Sequence, residues 1–128
     1  MLTFLIASCS NQSKNSNDVL NLVNQSEELS NYWTWVYRGW PTFPNKALQE
    51  GITGCVKIEF VITESGTPEN IRVLWSEPNE LFNKAAINSA QKYYFKPAKK
   101  NIKKLKVKTD TLVTFTAKDL ELNDKCET

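Results

Sequence analysis

The stretch WPTFPNKALQEGITGCVKIEF, residues 40–60, decides the fold. Pro44 suits the first turn of a helix and Gly51 suits its end, so the run PNKALQEG is predicted to form a two-turn helix. The residues that follow alternate, which predicts a half-buried strand whose inward face consists of Val56, Ile58, Phe60 and Ile62. A short helix that leads directly into a strand is therefore the first unit of the domain.

Three further elements are predicted after this strand. The turn ESGTPEN leads into a return strand, IRVLW, in which Ile71, Val73 and Trp75 face inward. Residues 77–95 have helical periodicity and predict an amphipathic helix of about four turns. Residues 107–117 predict a last strand. A right-handed crossover gives an α+β fold, with a three-stranded antiparallel sheet in the order 2-1-3 and two helices on one face.

The composition argues against several classes of function. The 128 residues include no histidine, the usual general base and a frequent metal ligand. Carboxylate, Ser and Thr side chains are present, but no pair is spaced as nucleophile and base, and we expect Glu59, Glu64 and Glu69 to be solvated. A net charge of +2 is too small to indicate nucleic-acid binding. We expect no enzymatic activity, metal or cofactor.

The first residues, MLTFLIASC, have the apolar and then small character of a signal sequence. Their last four, IASC, resemble a bacterial lipobox, which implies that Cys9 carries a lipid. The apolar run is short and no Lys or Arg precedes it, so we expect residues 1–9 to be a lipoprotein signal truncated at its start. Ser10 follows the cysteine and favours the outer membrane. The alternative is a frayed or buried segment with a free cysteine.

Residues 10–30 are predicted to be a polar tether. Their first part is too poor in apolar side chains to offset the entropy lost on ordering. Their second part contains Val19, Leu22 and Val23 on one helical face, which indicates a possible short helix.

Two runs of residues leave alternatives open. The first is the aromatic segment from Tyr32 to Phe43, which is either core and lid or a platform for a ligand. The second contains eight lysines between Lys92 and Lys108. These lysines form a solvated face that guards the last strand, or they attract acidic lipid or an acidic partner.

Taken in order, these residues resemble the TonB C-terminal domain family. The resemblance covers residues 40–117, and it implies a domain of residues 31–118 followed by a tail of residues 119–128. It depends on the joint order and spacing of Pro41, Phe43-Pro44, Ala47, Gly51, Gly54, Val56, Phe60, Ile62, Gly66, Ile71, Val73, Ser76, Pro78, Phe82, Ala85-Ala86, Phe95 and Pro97.

The resemblance implies a periplasmic protein-binding module linked to TonB-dependent transport across the outer membrane. Domains of this family bind a short transporter segment, the TonB box, by strand addition at their third strand. The corresponding partner-binding edge strand here is Asp110, Thr111, Leu112, Val113, Thr114 and Phe115. The expected partner is an outer-membrane transporter or another periplasmic protein.

Two other functions are compatible with the resemblance. One is an energy-transducer component, although the sequence has no run of about 20 apolar residues that would span a membrane and no Pro-rich rod. The other is a structural, self-associating domain, because the same edge would pair with its twin in a homodimer.

If Cys9 is lipidated, Cys55 and Cys126 remain as a pair in an oxidising compartment. Cys55 begins the first strand of the family domain, and the tail could fold back over the sheet face opposite the helices. We therefore hypothesise a disulfide between Cys55 and Cys126. The alternative is two free thiols.

Overall fold

The computed structural model describes residues 18–127, which contain six strands and two α-helices. The strands form two sheets. The strands are β1 (Val19–Asn21), β2 (Trp33–Tyr37), β3 (Gly54–Ile62), β4 (Pro68–Glu77), β5 (Tyr94–Pro97) and β6 (Lys106–Phe115). The helices are α1 (Asn45–Glu50) and α2 (Asn83–Ala90), and short 3-10 helices span Ser26–Asn31, Glu80–Phe82 and Asp124–Cys126. None of the helices in this range is long and apolar enough to cross a membrane.

The large sheet has the strand order β1-β6-β3-β4. β3 is antiparallel to both β4 and β6, so the three strands expected from the sequence lie in the expected order. The prediction of a three-stranded antiparallel sheet is nevertheless wrong, because β1 adds a fourth strand that is parallel to β6. A separate antiparallel pair, β2 with β5, forms a second sheet.

β1 was missed because its apolar pattern fits two periods. A helical period places Val19 and Leu22 on one face, whereas the structure packs Leu20 and Leu22 against the core, which is the two-residue period of a strand. The backbone N–H of Leu22 donates to the carbonyl of Lys108 at 2.8 Å and extends the pairing of β1 with β6. The predicted helix is therefore wrong. From residue 18 onward, the segment expected to be a tether is folded.

The helix predicted over residues 77–95 is shorter in the structure, because its last residues belong to β5 of the second sheet. α2 ends at Ala90, and β5 pairs with β2 in a register that places Trp35 opposite Phe95. The rings of these two residues lie 4.2 Å apart between centroids. Phe95 is buried whereas Tyr94 and Lys96 are exposed, so the alternation of a strand replaces the helical period there.

Two residues of the large sheet differ from their predicted environment. Trp75 was expected to face inward but is 44% exposed, because the register shifts by one residue between the pairs Lys57–Trp75 and Ile58–Val73. Glu59 was expected to be solvated but is buried. Arg72 Nε donates to its carboxylate at 2.8 Å, and Lys108 Nζ lies 3.7 Å from it.

The hydrophobic core lies between the large sheet and the helices. Gly51 ends α1 in the left-handed conformation at φ +67°, and its N–H donates to the carbonyl of Ala47. The ring of Phe82 stacks on that of Phe115 with 4.5 Å between centroids. The core includes residues from both helices and from β3 and β6, namely Ala47, Ala86, Ala90, Val56, Ile58, Phe60, Ile62, Val107, Val113 and Phe115.

Candidate partner-binding edge

β1 divides the outer side of β6 into two halves. β1 pairs with Lys106–Lys108 and thereby covers the first half. The chain then turns away at Asn24, which has φ +66° and whose backbone N–H donates to the Asp110 carboxylate at 3.2 Å. Among the described residues, no strand pairs with β6 on this side after Lys108. We call residues Thr111–Thr114 the open half of β6.

A trough runs along the open half. A cavity of about 510 Å³ has Thr111–Thr114 on one wall and Trp35–Pro41 on the other. A second cavity of about 510 Å³ continues it past Asp110 and Thr111 toward Ser26–Trp35. We call the two together the edge trough. It provides room beside the outer side of β6 for an extended chain.

The residues predicted to form the edge differ in what they present. Val113 and Phe115 point into the core, and the carboxylate of Asp110 is buried at the turn after β1. Thr111 and Leu112 are half-buried and Thr114 is exposed. An added strand would therefore contact backbone along the whole open half, but side chains only at Thr111, Leu112 and Thr114.

The far wall of the trough is held close to α2 by a glycine. Gly39 has φ +70°, and a Cβ atom on it would lie 2.7 Å from the carbonyl oxygen of Ser89, so an L side chain would be strained there. Ser89 Oγ also donates to the Arg38 carbonyl at 3.4 Å. The Arg38 guanidinium lies 4.0 Å from the centre of the Trp35 ring, within the range of a cation–π contact.

Tyr93 forms the floor of the trough, and its phenol keeps its proton. Burial raises the pKa of Tyr93 to about 12, although the nearby Arg38 charge and a hydrogen bond with Ser89 both act to lower it. The Tyr93 ring packs edge-on against Trp35 at 4.9 Å. The trough is therefore lined by aromatic surface and by one cation.

The aromatic segment is partly core and partly trough. Trp33 is fully buried and Trp35 is packed against the core, as a core element would be. Trp40, by contrast, is 82% exposed at the rim of the trough. The sequence predicts an aromatic segment but not this division, because the pairing of β2 with β5 decides which rings face inward.

Two of the three cysteines lie within the described residues, and they are bonded to each other. The structure joins Cys55 to Cys126 in a disulfide with Cα atoms 5.8 Å apart. The tail is also attached by Thr53, whose hydroxyl donates to the Glu121 carbonyl at 2.7 Å. Cys9, the predicted lipidation site, lies outside the described residues. Within residues 18–127, no group of three or more His, Cys, Asp or Glu residues is placed to hold a metal ion.

The comparison with known proteins assigns the family. The family model of the Gram-negative bacterial TonB protein C-terminal matches residues 40–117. The chain belongs to the TonB C-terminal family. Its fold is similar to the solution structure of the Pseudomonas aeruginosa TonB C-terminal domain, with a TM-score of 0.60 and 25% identity over 70% of this chain and 90% of that one.

Relatives in the TonB C-terminal family are much longer proteins. The chain is 37% identical over 57 residues to the TonB protein of Pseudomonas aeruginosa, which is 44% of this chain and 17% of that protein. It is 31% identical over 62 residues to the TonB protein of Salmonella typhimurium, which is 48% of this chain and 26% of that protein. The matched segments thus span only 17% and 26% of the length of these two relatives.

The family match and the trough overlap only in part. β3 to β6, including the open half, lie inside residues 40–117, as expected of the TonB C-terminal family. β1 and β2 lie before Trp40 and outside the match. The family part therefore supplies the edge, whereas the preceding segment covers its first half and builds most of the opposite wall.

Proposed function

We propose that this chain is a periplasmic module that binds an extended segment of a partner protein by strand addition at the open half of β6. The observation that carries the proposal is a strand edge that is paired by β1 along one half and lies beside a trough along the other. In this mode main-chain hydrogen bonds supply affinity and alternate side chains supply specificity.

The proposed partner is the TonB box of an outer-membrane transporter. The family supports this class of partner, because the relatives that the chain resembles are TonB proteins. The shape of the trough supports an extended segment: Thr111–Thr114 is long enough to pair with about four residues of a strand, at about 3.3 Å per residue. One face of that segment would lie against Trp35 and Trp40.

We also propose that the module is attached to a membrane through a lipid on Cys9 and faces the periplasm. The resemblance of IASC to a lipobox supports this attachment. Metabolic labelling with a fatty-acid analogue should mark the wild-type chain and leave a Cys9→Ala variant unlabelled. Equal labelling of both chains would eliminate Cys9 as the anchor.

Strand addition is tested by NMR titration of the folded protein with peptides from transporter N-termini. Saturable shifts should concentrate at Thr111–Thr114 and at Trp40. Trp40→Ala is expected to weaken binding about tenfold, in the range of a rim aromatic contact. Trp75→Ala is the matched control, because Trp75 is an exposed ring on the opposite edge strand of the sheet. Equal losses for both variants would contradict binding in the trough.

Peptide backbone chemistry separates strand addition from other binding. N-methylation at every second peptide residue removes the donors that face β6, whereas methylation of the alternate residues leaves those donors in place. Only the first set is expected to abolish binding. Sedimentation of the free protein at rising concentration tests the self-associating alternative. If the protein forms a strand-paired dimer without peptide, and added peptide does not change that dimer, self-association would replace peptide binding as the function.

A further inference from the structure

The loop between β5 and β6 carries an unpaired cluster of positive charge. We call residues 98–105, AKKNIKKL, the lysine loop. Its four lysines, Lys99, Lys100, Lys103 and Lys104, are all exposed, and none of them takes part in an ion pair with any residue in the described range 18–127. Between them lies Ile102, which is 84% exposed and is the most exposed large apolar side chain of this part of the molecule.

Three partly buried hydrogen bonds attach the lysine loop to the rest of the fold. Asn101 is 6% exposed; its Nδ2 donates to the Tyr32 carbonyl and its Oδ1 accepts from the Leu105 N–H, both at 2.8 Å. The indole N–H of Trp33 donates to the Leu105 carbonyl at 2.8 Å. The fold thus holds four like charges and an isoleucine toward solvent, although none of the four lysines has an ion-pair partner within the described chain.

The position of the lysine loop relative to the start of the fold indicates what it faces. β1 runs parallel to β6 from the pair Val19–Lys106, so the chain enters the sheet at the end where the loop ends. Asp18, the first described residue, lines the same surface depression as Lys100 and Lys104. Cys9 lies nine residues earlier, a reach of at most about 30 Å. An anchor at Cys9 would therefore hold the domain with this end near the anchoring surface.

We propose that the lysine loop docks on the surface of an anionic lipid bilayer. The four lysines face the anionic headgroups, and Ile102 enters the boundary between headgroups and acyl chains. A single apolar tip inside a ring of lysines fits this boundary, because lysine stems can lie along apolar surface while their charges stay in water. Two acidic groups, Asp18 and Glu64, also face the depression behind the loop, but four lysines outweigh them.

Docking through this loop leaves the open half of β6 accessible. Lys106 begins β6 and Thr114 lies near its other end, about 27 Å away at the rise of an antiparallel strand. The membrane contact and the open half therefore lie at opposite ends of one strand. The lipid proposal does not depend on strand addition, and either can fail without the other.

The test is sedimentation of the unlipidated 128-residue chain with vesicles. Vesicles that contain 30% phosphatidylglycerol should bind the chain at about 0.1 M salt, and pure phosphatidylcholine vesicles should bind it far less. Replacing Lys99, Lys100, Lys103 and Lys104 by Gln is expected to weaken the partition coefficient several hundredfold, from about fivefold for each lysine. Ile102→Ser should reduce it by a further factor of about five.

A matched variant controls for net charge and for the apolar N-terminus. Lys46, Lys84, Lys92 and Lys118 are exposed lysines outside the loop, and their replacement by Gln takes the formal charge from +2 to −2, as the loop variant does. Both variants keep residues 1–9. The control should retain most of the binding; equal loss in both variants would reduce the effect to net charge and overturn the proposal.

Two further outcomes are decisive. With vesicles that carry a gadolinium lipid, NMR signals of residues 99–104 should broaden before those of Thr111–Thr114, and the reverse order would overturn the proposal. The proposal would also be overturned if poly-glutamate shifts the NMR signals of the loop and the chain does not bind anionic vesicles. The partner of the lysine loop would then be an acidic protein.

Discussion

The two edges of the large sheet differ in how they avoid unwanted pairing. One edge of the sheet is β4, which begins at Pro68, contains Asn70 at φ +54°, and shifts register twice against β3. The other side is formed by β6, which β1 covers only in part. Such irregularities disrupt the row of hydrogen-bonding groups that a new strand needs. β6 pairs with β3 in unbroken register from Val107 to Phe115 and lacks proline. Of these two strands, β6 is therefore the regular one, and part of its outer side is unpaired within the described chain.

The first half of β6 shows that pairing on this edge is favourable. β1 is only three residues long, yet it pairs there and places Leu22 in the core. The chain leaves the edge at Asn24 although the strand continues for several residues. The β6 edge is therefore paired by a strand along its first half, whereas the open half lacks one within the described chain.

The largest expected effect comes from removing the disulfide. Cys55 lies opposite Glu77 on β4 and opposite Thr114 on β6, so the bond stabilises the end of the sheet that both edges share. Because the bond closes a loop with a sequence separation of 71, the Cys55→Ser and Cys126→Ser pair should lower the free energy of unfolding by about 4 kcal/mol. Denaturant unfolding with and without reductant measures the loss.

Hydrogen exchange on the same variants shows whether the two edges depend on this bond equally. Protection should fall at Trp75–Glu77 and at Val113–Phe115 together. The Cys9→Ser variant is the control, since it leaves this pair intact. Loss at one edge alone would show that the shared end of the sheet does not couple them.

The second effect tests the division of β6 into halves. Leu22→Ala removes a buried side chain from the core and should lower the free energy of unfolding by about 2–4 kcal/mol. Amide exchange should accelerate at Lys106–Lys108, which β1 covers, and hardly at Thr111–Thr114. Val19→Ala is the matched control, because Val19 is 41% exposed on the same strand. Equal acceleration along all of β6 would contradict the division.

The third effect is a pH dependence from the floor of the trough. The pKa of Tyr93 is raised from 10.0 to about 12, so above pH 10 the unfolded chain loses this proton while the folded chain keeps it. The stability of the wild type should therefore fall between pH 10 and 12, relative to Tyr93→Phe, by about 2–3 kcal/mol. Urea unfolding of both proteins at stepped pH tests this. Parallel curves would mean that the phenol is solvated.

The family domain could be predicted from the sequence because its signals are local. The helix stop at Gly51 and the alternation from Val56 to Ile62 determine their own elements with little help from distant residues. The hypothesis of a bond between Cys55 and Cys126 came from the strand order and from the number of cysteines. The same order predicts β6 as an edge strand, but β1 covers its first half and leaves an unpaired edge only after Lys108.

The trough could not be predicted because it depends on pairings between distant segments. β2 and β5 are about 60 residues apart in the chain, and only their pairing turns Trp33 inward and leaves Trp40 at the rim. The apolar residues of β1 fit a helix equally well until β6 provides an edge for them. The exposure of Trp75 follows from a one-residue register shift, for which a single sequence carries no signal.

The smallest effect concerns the residue between the two halves of β6. Thr109 is fully buried opposite Phe60, and its hydroxyl has no hydrogen-bond partner in the described part of the chain. Thr109→Val keeps the shape of the side chain and removes the unsatisfied hydroxyl, so the free energy of unfolding should rise by about 1 kcal/mol. Thr111→Val, two residues along the strand and half-buried, should change it by less than about 0.5 kcal/mol. Thermal unfolding distinguishes the two variants. A loss of stability in Thr109→Val would show that the hydroxyl has a partner, such as an ordered water, between the covered and open halves.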